Sequence, residues 1–290
     1  MRLRIDLAYD GTDFHGWATQ PGLRTVQAVL EAALVRVLRL DTAQVTCAGR
    51  TDTGVHARGQ VAHTDVEEES VVAAAGRGTR PALDSVLLRL NGVLPADVRV
   101  LRVSPAPPGF DARFSAIWRR YAYRVADAPV LVDPLTRRSV LAWSRRLDTD
   151  AMNQAALELR GEHDFAAFCR KRAGATTIRT LHELTWCRDE QGLAVATVRA
   201  DAFCHNMVRA LVGAMIAVGE GRRAPGWPGE VLRAGVRDPR VTVVHARGLT
   251  LEEVAYPADA ELAGQAESAR RLRTLTRHEG DVTRQEHGHG

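Results

Sequence analysis

Apolar and polar residues alternate over 2–8, RLRIDLA, and predict an opening strand. Thr25 can cap a helix, because Val26, Leu30, Leu34, Val35 and Leu38 then recur at helical spacing. Residues 44–48 and 59–66 predict strands that flank the loop GRTDTGVHAR, and 83–94 predicts a second helix. VRVLRV at 98–103 is another strand, and Pro105, Pro107 and Pro108 break the chain after it. The same grammar returns in the second half. Strands are expected at 117–126, 178–187 and 193–203, and a helix at 149–160 opened by Asp148 or Thr149. In HNMVRALVGAMIAVGEG, Met207, Leu211, Met215 and Val218 share one helical face, and Gly219 and Gly221 lie near its end.

Two such halves imply an α+β protein: antiparallel sheets joined into one extended sheet, helices packed on one side, and a cleft between the halves. The expected division is 1–105, 106–258 and a polar tail 259–290, whose end TRHEGDVTRQEHGHG reads as disordered. Residues 70–82, rich in small residues, read as a loop insertion.

Composition narrows the class. The chain has 290 residues, 45% hydrophobic and 26% charged, the balance of a globular protein that needs no staple to fold. No apolar run is long enough to cross a bilayer, and the start alternates like a strand instead of carrying a signal peptide, so a cytoplasmic location and no membrane partner are expected. Cys47, Cys169, Cys187 and Cys204 form no Cys-x-x-Cys pair and read as isolated thiols. His278, His287 and His289 sit in a stretch too polar to fix metal-ligand geometry. The net charge is only +4, but Lys171 is the single lysine among 39 basic residues. Guanidinium groups bind phosphate in bidentate fashion and stack on bases, so nucleic acid is a candidate partner.

The segment from Gly49 to His56 concentrates the chemistry: Arg50, Thr51, Asp52, Thr53 and His56 lie between two apolar strands. A tight turn in which Asp52 bonds its own backbone is the bland reading. An aspartic protease is the first functional one, since Asp52-Thr53-Gly54 has that tripeptide form. Such a protease needs two carboxylates sharing a proton, and only one Asp-Thr-Gly occurs.

A wider pattern decides the matter. GRTDTGVHARGQVAH resembles the active-site motif of TruA-type tRNA pseudouridine synthases. Tyr9-Asp10-Gly11-Thr12, Phe14, Gly16-Trp17, Gln20 and Thr25-Val26-Gln27 are similar to that family's opening. FDARFSA with Arg120, Tyr121 and Tyr123 resembles its middle motif, and Gly161, His163-Asp164-Phe165 and Phe168 a further block. Phe203, His205, Met207-Val208-Arg209, Val212-Gly213 and Val218-Gly219 match its late helix, and Gly248-Leu249, Leu251 and Tyr256-Pro257 its ending. The likeness runs in order over roughly 3–257. Ala18 replaces a usual glutamine, Trp118 is bulky for its place, and both 70–82 and the tail lie outside the shared pattern.

The resemblance implies isomerisation of uridine to pseudouridine at positions 38, 39 and 40 of the tRNA anticodon stem-loop, by a homodimer across which the tRNA lies. Asp52 is then the catalytic carboxylate and Arg209 its ionic partner. Arg50 fills the gap left by the extruded nucleotide, Tyr121 stacks on the flipped base, and Tyr123 lines or supports the pocket. His56, His63 and His205 become hydrogen-bonding supports. Nothing is consumed, so no cofactor or metal is expected. No Walker P-loop and no Gly-x-Gly-x-x-Gly after a strand occurs. Attack at C1′, attack at C6 and proton abstraction at C2′ all remain open. The rival readings are a non-catalytic tRNA-binding module or RNA chaperone on the same fold, and the same chemistry aimed at another RNA site.

Overall fold

A computed structural model describes residues 1–76, 79–170 and 176–270. Its backbone is a ten-stranded sheet. The first half supplies β1 (Arg2–Tyr9), α1 (Val26–Leu38), β2 (Thr46–Cys47), β3 (His56–Asp65), α2 (Glu68–Ala75), α3 (Ala82–Val93) and β4 (Val98–Pro105). The second supplies β5 (Trp118–Ala126), β6 (Leu141–Ala142), α4 (Thr149–Ala156), β7 (Gly161–Asp164), β8 (Ile178–Arg188), β9 (Ala194–Ala200), α5 (Met207–Gly219), α6 (Trp227–Ala234), β10 (Leu249–Ala255) and α7 (Leu262–Arg270).

The α+β reading holds, and the join between the halves has a specific form. The main strand order is β4-β1-β3-β10-β5-β9-β8-β7, so the last strand in the chain sits between the halves. β10 runs parallel to β3, pairing Thr250 with His56, and antiparallel to β5, pairing Leu251 with Tyr121. The sheet is therefore antiparallel apart from its central seam and the short β5–β6 pair.

Local chemistry accounts for the elements. Thr25 caps α1, its hydroxyl accepting from the Ala28 amide at 3.4 Å. Asp148, not Thr149, caps α4 by accepting from the amides of Asp150 and Ala151. α5 is buried nearly throughout, beyond the single face of Met207, Leu211, Met215 and Val218, as a helix apolar on all sides should be. Leu3, Ile5 and Leu7 alternate with Arg4 and Asp6 along β1 and enter the core. Arg4 points to the other face, over the rings of Phe110 and Tyr256. Segment 109–115 lies there, and α7 packs on it through the Ser115 hydroxyl, donated to the Leu262 carbonyl at 3.1 Å. Helices thus do not keep to one side of the first half.

Several expectations need correction. Residues 70–75 are not a loop but part of α2, which ends at Ala75, and α3 starts at Ala82, with Val71, Ala74 and Val86 buried; residues 77 and 78 lie outside the described residues. The stretch from 259 is not all disordered tail, because Asp259–Glu261 form a 3-10 turn and α7 buries Leu262 and Ala266. The expectation for TRHEGDVTRQEHGHG, with His278, His287 and His289, lies outside the described residues. Cys169 and Cys204 are not isolated thiols: they are joined as a disulfide, while Cys47 and Cys187 are free. Residues 35 positions apart meet because the Arg170 amide donates to the His205 carbonyl, laying the two segments side by side.

The second half is pinned by a buried charge. The Asp127 side chain is 0% exposed and accepts from both Nη atoms of Arg188, from the Leu147 amide and from Arg146. Burial pushes this carboxyl up, but the Arg188 fork, the Leu147 amide and the nearby charges outweigh it, so its pKa lies below the ordinary carboxylate value. Such a group stabilises the fold above the unfolded pKa and loses that effect as pH falls through the folded one. Asp127→Ala is expected to lower the unfolding free energy at neutral pH by about 3 kcal/mol, leaving Arg188 without its counter-charge. Urea unfolding checks this, and the difference from the parent should close below about pH 4.

Candidate active site

The segment 49–55 leaves β2 and enters β3 over the seam of the sheet. Its main chain is held from below. The Ala48 amide donates to the Val61 carbonyl at 2.8 Å, and Gln60 Nε2 donates to the Gly49 carbonyl at 2.9 Å. The buried hydroxyls of Tyr9 and Thr51 meet at 2.7 Å, and the Trp17 amide donates to the Thr51 carbonyl at 3.0 Å. The Val55 amide closes a turn onto the Asp52 carbonyl at 3.1 Å. The bland turn does exist, but its closing bond is main-chain. Burial pushes the Tyr9 phenol well above its usual pKa, so this network stays neutral and fully bonded.

The loop from Asp10 to Thr25 presses against this turn, and two glycines allow it. A Cβ on Gly11 would collide with the Val55 carbonyl. Gly16 has φ +87°, and a Cβ there would lie 2.9 Å from the Thr51 carbonyl oxygen. The Gly11 amide also donates to His56 Nδ1, while His56 Nε2 meets the Arg247 carbonyl, each at 3.1 Å. His56 thus bridges the opening loop to the approach to β10. It is 5% exposed, so its ring is buried between the two segments that it joins.

Asp52 has a half-buried side chain, 32% exposed. Among the described residues its ion-pair partner is His205, whose Nε2 lies 3.6 Å from Asp52 Oδ1, an ion-pair distance too long for a hydrogen bond. His205 is therefore the neighbour of the carboxylate and not merely a support. Arg209 is not paired with Asp52, contrary to expectation. Its Nε donates to the Val244 carbonyl at 2.7 Å and its Nη1 reaches Asn206 Oδ1 at 3.5 Å. The cause is local: the Val244 amide donates to the Arg209 carbonyl, so segment 241–246 runs along α5 and captures the guanidinium.

Tyr121 is 7% exposed and stands edge-on to Phe203, with ring centroids 5.1 Å apart and planes at 90°. Burial pushes its phenol far up, and the Tyr9 phenol and the Asp52 charge add to this, so it stays neutral beside the carboxylate. Tyr123 is 0% exposed, and its hydroxyl donates to the His245 carbonyl at 2.7 Å. It braces the floor and cannot meet a substrate, which corrects the other half of its expected role. Arg50 is exposed at the rim of the turn, with no hydrogen bond or ion pair among the described residues. His63 accepts from the Ala112 amide at 3.0 Å, and burial lowers its pKa. It ties segment 106–117 to β3, away from the carboxylate.

The structure thus gathers Asp52, His205, Tyr121 and Phe203, with Arg50 at the edge, and withdraws His56, Tyr123 and Arg209 into supporting bonds. Phe203 stood in a quoted motif without a role. Only its spacing from His205 marked it. Among the described residues no cluster of three or more His, Cys, Asp or Glu side chains could hold a metal ion. A half-exposed carboxylate between an imidazole and a neutral phenol suits proton transfer or nucleophilic attack on a planar guest.

Comparison with known proteins gives this arrangement a context. A sequence model described as tRNA pseudouridine synthase matches residues 7–115 and 155–257. The chain is 61% identical to the tRNA pseudouridine synthase A of Streptomyces griseus, over 95% of either chain. It is 59% identical to the protein of that name from Frankia casuarinae, over 94% of this chain and 96% of that one. The Mycobacterium leprae protein of that name is 51% identical over the same shares.

The glycine contacts make a test of how tightly the turn is held. Gly11→Ala is expected to cost about 1–3 kcal/mol in thermal unfolding, because the new methyl must displace the Val55 carbonyl. Gly92→Ala, whose Cβ meets nothing within 4 Å, is the control and should be neutral or slightly stabilising.

Proposed function

The chain belongs to the tRNA pseudouridine synthase family, an enzyme family that isomerises uridine in tRNA, and on that premise we propose that Asp52 is the catalytic carboxylate and that the targets are uridines 38, 39 and 40 of the anticodon stem-loop. In the reaction the bond from C1′ to N1 breaks, the base turns, and C1′ joins C5. The C5 hydrogen leaves as a proton and N1 regains one, so atoms balance and nothing is oxidised.

The observation that carries the assignment is the half-open Asp52 carboxylate on a turn fixed from below. A uridine in a stem cannot reach it without leaving the stack, which costs a few kcal/mol. Tyr121 and Phe203 offer aromatic surface beside the carboxylate for the extruded base. Arg50, unpaired at the rim, is the group placed to enter the vacated stack or hold a phosphate. His205, 3.6 Å from Asp52, can take up or return a proton there. Arg209, held on the Val244 carbonyl, would have to leave that bond to pair with the carboxylate when RNA binds. The support for the anticodon stem-loop and for a homodimer is the motif resemblance, which extends through all the blocks quoted above, and the support for a cytoplasmic setting is the strand-like opening sequence.

Asp52→Ala is expected to lower turnover by at least about a thousandfold while tRNA binding stays near that of the parent. Tritium release from tRNA carrying 5-tritiated uridine measures the first and filter binding the second. Turnover near the parent's rate would refute the assignment. Binding of either protein should weaken steeply between low and physiological salt, as arginines displace counterions from phosphates. Release confined to tRNAs with uridine at 38, 39 or 40 supports the site, and release from other positions removes it. Sedimentation at micromolar protein should give twice the 31.7 kDa chain mass.

A further inference from the structure

Among the described residues Arg119 is the one buried arginine. It is 8% exposed and lies two residues before Tyr121 on β5, so the two share a face of the sheet. Its four hydrogen-bond partners are all main-chain carbonyls. Nη2 donates to Ala48 at 2.8 Å and Arg113 at 2.6 Å, and Nη1 donates to Asp201 at 2.6 Å and Ala116 at 3.4 Å. The charged groups and phenols nearby are Tyr256, Tyr121, Cys47 and Arg113, and burial lowers the pKa of the guanidinium. A cation taken out of water without a carboxylate is costly for a fold to keep. Mere packing of this volume needs no charge.

The carbonyls it gathers belong to the segments that build the site. Ala48 directly precedes the turn Gly49-Arg50-Thr51-Asp52. Asp201 leads into Ala202, Phe203, Cys204 and His205. Arg113 and Ala116 belong to the crossing between the halves. The planar fork has fixed geometry, so it sets how far one segment stands from another.

We propose that Arg119 is a positioning residue, holding the Asp52 turn of the first half at working distance from the Phe203–His205 segment of the second without touching RNA. This rests on Asp52 being the catalytic carboxylate. Arg119→Lys keeps the charge but loses the fork. Arg119→Met keeps the bulk and removes the buried charge, at the cost of leaving the four carbonyls without this donor.

The test uses the full chain of each variant, with Asp52→Asn as reference. Three quantities are measured: the thermal midpoint, tRNA affinity by filter binding, and single-turnover tritium release at saturating enzyme, expressed per tRNA-binding molecule. Both Arg119 variants are expected to bind tRNA within about threefold of the parent and to isomerise about a hundredfold more slowly, the cost of a misplacement near 1 Å. A merely structural arginine would lower folding and binding together and leave the rate per bound molecule unchanged. That result, a parental rate in both variants, or failure of both to fold overturns the proposal. Turnover by Asp52→Asn removes the premise instead. An inactive Asp52→Asn beside Arg119 variants of parental rate removes the positioning role alone.

Discussion

The structure depends on one requirement: a carboxylate must be fixed in space while its oxygens stay open. Side-chain bonds to Asp52 would fix it but would also occupy it. The chain instead fixes the main chain on either side. Gln60 holds the Gly49 carbonyl, Trp17 the Thr51 carbonyl, Tyr9 the Thr51 hydroxyl, and Arg119 the Ala48 carbonyl. These groups are buried and mutually satisfied, and in a low-dielectric interior such bonds resist displacement. The carboxylate above them is left 32% exposed, with His205 at 3.6 Å.

Topology serves the same end. β10 closes the gap between β3 and β5, so its register aligns His56 with Thr250 and Leu251 with Tyr121. The end of the Asp52 segment and the strand carrying Tyr121 are therefore linked through a strand synthesised some 130 residues after Tyr121. The site cannot be complete before nearly the whole chain has folded. Such long-range pairing is the slow kind, because loop-closure entropy is lost before the contacts form.

Much of this was legible in the sequence. Periodicity placed β1, α1, α3, β5, β8 and α5 within a few residues, because each has one long face with a single environment. It missed α2, whose stripe is only Val71 and Ala74, and α6 and β10, where turn residues and small residues interrupt short patterns. The placement of β10 between the halves was not legible at all, since pairing partners leave no local mark. At the site, the family resemblance singled out Asp52, Tyr121 and His205, which the structure does bring together. It did not separate side chains facing the opening from those beneath it. Tyr123 and His56 lie under the floor, and Arg209 is held by Val244, because neighbouring segments satisfy their polar atoms. The Cys169–Cys204 pair needed a three-dimensional contact that no spacing rule encodes.

The electrostatic picture follows from what each group can reach. Tyr121 stays neutral because burial and the Asp52 charge both oppose its ionisation. Beside that neutral ring the Asp52 side chain is 32% exposed. A crystal structure of the protein with an anticodon stem-loop tests this most directly. The account predicts a uridine turned out of the stem, its ring against Tyr121 and its C1′ or C6 in contact with the Asp52 oxygens. A uridine still stacked in its stem, with the Asp52 carboxylate facing solvent or phosphate, would contradict it.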